Sequence, residues 1–144
     1  MQTLQQARAQ HALGQVKSWV ALNDASKLKA RVAPDGASKL KARVPPDGAS
    51  QLKARCSELP FMIHANGLGQ AAAFFKSKKE KDGYNVVFAA LQSWLLQPGR
   101  PFADKSDLMQ AIVDGDLHAY RMAQAEAIQY MDWVKKFASA YLAD

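Results

Sequence analysis

The sequence predicts an all-α fold, a single compact bundle of five to seven helices. Apolar residues recur at helical spacing through almost everything outside one short repeat. No stretch alternates apolar and polar residues long enough for a strand. Helix caps and stops punctuate the chain at intervals that suit short connections. The 144 residues, 49% of them apolar, suffice for one domain around one core. The expected organisation is therefore one helical domain over residues 1–144, with a basic, repeat-containing insertion at about 24–48.

Thr3-Leu4-Gln5-Gln6 has the form of a capping box and opens the first helix. Ala9, Leu13, Val16 and Val20 follow at helical spacing, and the helix is expected to end near Asn23. Then comes "ASKLKARVAPDG ASKLKARVPPDG ASQLKARCSELP", a twelve-residue unit written three times from Ala25 to Pro60. The unit is shorter and more polar than solenoid repeats, which bury a shared core. Pro34-Asp35-Gly36 and Pro45-Pro46-Asp47-Gly48 are turn signals. The first two copies read as a mobile or loosely helical insertion, and the third as the start of a helix through His64. Pro60 lies within that helix and predicts a kink.

Asn66-Gly67 stops it, and the next helix starts near Leu68, carrying Ala71, Ala72, Phe74 and Phe75 to Lys76-Ser77-Lys78-Lys79. Lys81-Asp82-Gly83 is a turn. Tyr84, Val87, Phe88, Leu91, Trp94 and Leu95 mark an amphipathic helix closed by Pro98-Gly99-Arg100-Pro101. Ser106 is expected to cap a short helix that Gly115 stops. Asp116 caps what reads as the longest helix, with Tyr120, Ala123, Ala127, Met131, Val134, Phe137 and Tyr141 along one face.

The chemistry-bearing motifs are few. His11, His64 and His118 form no metal-ligand spacing with one another or with Cys56, so no metal or other cofactor is expected. Asp114-Gly115-Asp116 lacks the further carboxylates of a Ca²⁺ loop. Phosphate-loop and nucleophile-elbow motifs are missing, and no catalytic residue is assigned. The lone Cys56 reads as a buried small hydrophobe. No apolar run is long enough for a membrane span, and a cytoplasmic protein without a membrane partner is expected.

The formal charge is +6, of which +4 falls between Asp24 and Leu59. A basic chain without an anchor points to an anionic partner, most commonly nucleic acid, or simply to a solvated surface. Lys76, Lys78 and Lys79 cluster at one helix end, and Lys135-Lys136 form a second group. Either could meet phosphates, a contact that positions nucleic acid without reading its sequence. Asn66-Gly67-Leu68-Gly69-Gln70 could cradle a phosphate at a helix N-terminus. The structural reading is better: a helix stop followed by close packing. Met62, Phe74, Phe75, Trp94 and Trp133 read as core rather than a base-stacking platform.

"LPFMIHANGLGQAAAFFKSK", Leu59 to Lys78, resembles the small subunit of the Cmr complex, the type III-B CRISPR RNA-guided effector. The family pattern of Leu-Pro, apolar residues, Asn-Gly-Leu-Gly-Gln, Ala-Phe and Lys-Ser-Lys stands at Leu59-Pro60, Met62-Ile63, Asn66 to Gln70, Ala73-Phe74 and Lys76 to Lys78. The opening "MQTLQQARAQHALGQV" and the final "YRMAQAEAIQYMDWVKKFASA" are similar to the family too. The resemblance covers everything except Asp24 to Gly48 and implies a non-catalytic subunit of a ribonucleoprotein. Its implied partners are target RNA and guide RNA, the other effector subunits including the backbone subunit, and further copies packed head to tail. Lys76, Lys78, Lys79, Arg121, Lys135 and Lys136 are then the candidate RNA contacts. The repeat's Lys27, Lys29, Arg31, Lys39, Lys41 and Arg43 offer further phosphate attraction. A purely structural helical interaction module without RNA contact is the alternative, and a helical nuclease with an unrecognised site a third reading.

Overall fold

The computed structural model describes residues 2–32 and 48–142, with residues 26–32 as backbone alone. Among the described residues it contains six α-helices and no strand. They are α1 (Leu4–Val32), α2 (Gly48–Asn66), α3 (Leu68–Ser77), α4 (Tyr84–Leu95), α5 (Leu108–Asp114) and α6 (Leu117–Tyr141), with a 3₁₀ turn at Lys81–Gly83 before α4.

The capping box forms as expected. Gln6 N–H donates to Thr3 Oγ1 at 3.1 Å, and Thr3 N–H donates to Gln6 Oε1 at 2.9 Å. The end of α1 differs from expectation. It runs beyond Asn23 to Val32, so the first repeat copy extends the helix. Leu, Lys, Ala and Arg are all strong helix formers, and Asp24-Ala25-Ser26 holds no Gly or Pro to stop them. At 29 residues α1 also exceeds α6, at 25. The third copy enters α2 as expected, with Pro60 inside the helix and unable to donate to the Cys56 carbonyl. The turn signals at 34–36 and 45–47 lie outside the described residues.

The core gathers around α6, which buries Ala123, Ala127, Tyr130, Met131, Val134 and Ala138. Over its first half α1 runs parallel to α6, Arg8 meeting Glu126 and His11 meeting Tyr130. Helix α2 is antiparallel to α6: the α2–α3 junction meets Tyr120 and Gln124, while Ser57 lies level with Lys135. Tyr141, expected on the core face, is 50% exposed, and Ala138 and Leu142, four residues apart, take the core side of the helix end instead. The buried line on α1 is Arg8, Ala12, Val16, Trp19 and Asn23, which shares only Val16 with the expected stripe. An arginine lies on that line because Glu126 receives it. Arg8 Nη2 donates to Glu126 Oε1 at 3.0 Å, Arg8 Nε donates to Oε2, and Trp94 Nε1 donates to Oε2 at 2.9 Å. Three donors thus compensate one buried carboxylate.

The short helix α5 is capped by Asp107, whose Oδ1 accepts from Gln110 N–H at 2.8 Å, and not by Ser106. Asp116 caps α6 as expected, accepting from Ala119 N–H at 2.8 Å.

Candidate nucleic-acid interface

The glycine-rich turn between α2 and α3 is filled by protein. Leu68 N–H donates to Gln124 Oε1 and Gly69 N–H to the Tyr120 hydroxyl, each at 2.9 Å. A Cβ on Gly67 would lie 3.2 Å from that hydroxyl, and the residue has φ +88°. The turn therefore docks α3 onto α6, and two of the N–H groups that a phosphate would need are already engaged.

The far end of α3 is different. The helix ends at Ser77, Lys78 serves as its C-cap, and Lys79 turns left-handed with φ 53°. Lys76 and Lys79 are exposed and Lys78 is half-buried. Among the described residues none of the three has a carboxylate partner within ion-pair distance. Aromatic rings lie beneath two of them. Lys76 Nζ is 5.3 Å from the Phe88 centroid, and Lys78 Nζ is 4.9 Å from Phe74 and 5.9 Å from Tyr84. Arg55 of α2 lies 4.4 Å from the Tyr84 centroid. The Tyr84 hydroxyl donates to Glu58 Oε1 at 2.9 Å, and burial followed by that carboxylate raises the phenol's pKa.

The remaining candidates stand elsewhere. Lys136 is paired with Asp132 at 3.1 Å, one turn back on α6. Lys135 is exposed and lines an open groove of about 620 Å³ between α2 and α6, with Phe61, His64, Ile128 and Asp132. Arg121 is exposed near the start of α6, about 21 Å from Lys135 along the helix axis at the α-helical rise. The structure thus brings Lys76, Lys78 and Lys79 together, sets Lys135 on another flank of α2, and leaves Arg121 apart.

The aromatics divide differently from the expectation. Phe75 and Trp94 are buried, Met62 and Trp133 pack at the core's edge, and Phe74 is 37% exposed. Phe74, Tyr84 and Arg55 were not grouped with the lysines from sequence. The pair Phe74-Phe75 gave no signal of this, since adjacent residues such as Ala71-Ala72 and Tyr130-Met131 are buried together in the same core.

His11 and Cys56 are not free to react. His11 is half-buried, with Nδ1 at 2.7 Å from the Tyr130 hydroxyl and Nε2 at 3.1 Å from Ser93 Oγ, and burial lowers its pKa. Burial pushes the Cys56 thiol up to about 12. Among the described residues no cluster of three or more His, Cys, Asp or Glu could hold a metal ion, and no helix is long and apolar enough to cross a membrane.

Residues 27–141 match the family described as CRISPR-associated protein (Cas_Cmr5). The chain belongs to the Cas_Cmr5 family. It is thereby a small subunit of the Cmr, type III-B CRISPR effector, and associates with other subunits of that complex. The family match extends over the second and third repeat copies and most of the first, and so takes in most of the segment that the motif resemblance left out. Comparison with curated proteins gave no match.

Proposed function

We propose that this Cas_Cmr5 chain is a non-catalytic, cytoplasmic subunit that holds target RNA by its phosphates through Lys76, Lys78 and Lys79. The observation that carries this reading is the grouping of three lysines without carboxylate partners at the end of α3. Such cations attract a polyanion without distinguishing its bases. Lys135 and Arg121 are secondary contacts to the same strand or to the guide, and Lys136 contributes less because Asp132 neutralises it. A role without catalysis is supported by the engagement of both His11 ring nitrogens and by the buried, protonated Cys56. Copies packed head to tail beside the backbone subunit would extend the basic surface along the target.

The test is a salt titration of target-strand binding by the wild-type chain and by a variant with Lys76→Ala, Lys78→Ala and Lys79→Ala. Loss of three phosphate contacts lowers the slope of log affinity against log salt by about 2 for a single strand. An unchanged affinity and slope refutes the assignment. A second reading, a structural module that joins its neighbours without touching RNA, is favoured by the groove between α2 and α6. Its wall carries Phe61 at 62% exposure. Under that reading the triple variant assembles normally and has no RNA defect.

A further inference from the structure

Phe74 combines exposure with an order that surface phenylalanines ordinarily lack. Its ring meets Tyr84 edge to face at 5.9 Å and 76°, and Phe75 at 6.3 Å and 61°. Both of those rings are buried, so Phe74 is held in place by the core while 37% of it remains exposed. Lys78 Nζ stands 4.9 Å from its centroid, with Lys76 and Lys79 on the same helix end. Arg55 lies against the neighbouring Tyr84. Lysines alone would suit any anion. An ordered aromatic ring among them adds a surface for a flat, apolar partner that carries negative charge beside it.

A nucleotide with an unpaired base has that chemistry. Its base can stack on an aromatic side chain while its phosphates meet the flanking cations. A base inside a duplex is already stacked on both faces and has no free face to offer. We propose that Phe74 is a stacking subsite for one unpaired base of single-stranded RNA, with Lys76, Lys78 and Lys79 on the adjoining phosphates. The inference rests on the RNA-binding reading of those lysines and adds the strand state they select. The subsite prefers purines, which present the larger stacking surface, but reads no hydrogen-bonding edge.

The test uses the full chain with labelled oligoadenylate and oligouridylate of about 15 nucleotides, within the range of common single-strand site sizes, and the duplex formed from them. Affinity is read by fluorescence anisotropy across a salt series. Phe74→Leu keeps the charge and much of the apolar contact but removes the π-face. It should weaken oligoadenylate binding about tenfold, within the range reported for loss of one stacked base. Oligouridylate should lose less, the duplex should lose nothing, and the salt slope should stay as in the wild type. Phe74→Trp should restore oligoadenylate affinity, which separates stacking from a change in folding. Wild-type affinity in Phe74→Leu, or an equal loss on the duplex, overturns the stacking subsite. If the triple lysine variant still lowers the salt slope in that case, the RNA-binding reading stands without it. No measurable binding by the wild-type chain, or none lost on removing the lysines, overturns both.

Discussion

Glu126→Gln probes the polar contact that fixes α1 on α6. Glu126 accepts three N–H bonds, two from Arg8 and one from Trp94, and the Arg8 and Glu126 side chains are only 11% and 9% exposed. The substitution leaves the guanidinium beside a neutral amide that still has one oxygen for Trp94. Removing one partner of a buried pair costs about 3–5 kcal/mol, and the retained acceptor places this case near 3 kcal/mol. For a chain of 144 residues that is a fall in Tm of roughly 6–12 °C. Arg8→Met should cost a similar amount by stranding the carboxylate. The double variant Arg8→Met with Glu126→Gln carries no buried charge and keeps an acceptor for Trp94, so it should lose only about 1 kcal/mol. Equilibrium urea unfolding of the four proteins gives the coupling, and added salt should change it little because the pair is shielded from solvent. If the two single losses add to within about 0.5 kcal/mol of the double, the pair does not act as a unit and the reasoning fails.

Two further outcomes follow from local geometry. Burial holds the His11 pKa below its ordinary 6.5, so the native state binds fewer protons than the unfolded chain. Stability is therefore full above that value and declines as pH falls through it. The urea midpoint should drop between about pH 7.5 and about pH 5, and His11→Gln should flatten that profile; an identical decline in the variant refutes the assignment. Gly83 has φ 83°, and a Cβ there would come within 3.0 Å of Leu52 Cδ2. Gly83→Ala should thus cost about 2–3 kcal/mol in thermal or urea unfolding, and a loss under about 0.5 kcal/mol would show that the turn relaxes freely.

The helices were legible because their signals are local. Thr3 with Gln6, Asn66 with Gly67, and Asp116 each act within one turn of chain, and each forms as the sequence implies. What the sequence hid depends on distant partners. Arg8 looks like a surface residue until Glu126, 118 positions away, is beside it, and so the buried line of α1 was placed on the wrong residues. Likewise the close packing expected at Gly67–Gly69 is there, but its partners Tyr120 and Gln124 are named only by the fold. The family resemblance carried the functional reading, since charge and the lack of catalytic motifs fit many basic helical proteins.

The candidate site shows the same limit in its electrostatics, because counting lysines does not tell which are free. Lys136 has Asp132 one turn back on a continuous helix, and the two pair. Lys76 and Lys78 have equivalent carboxylates four residues ahead, Glu80 and Asp82. On a continuous helix both would fall at the spacing where opposite charges meet. The helix instead stops at Ser77, and Lys79 and Asp82 both take left-handed conformations, at φ 53° and 50°. The break carries the two carboxylates off the helical register, and neither forms an ion pair with Lys76 or Lys78 among the described residues. Holding two non-glycine residues left-handed costs about 1–2 kcal/mol each. That strain is offset where Gly83 leads into α4, which buries Tyr84, Val87, Phe88 and Leu91. The packing of α4 thus keeps the turn in place, and the turn keeps the lysines available.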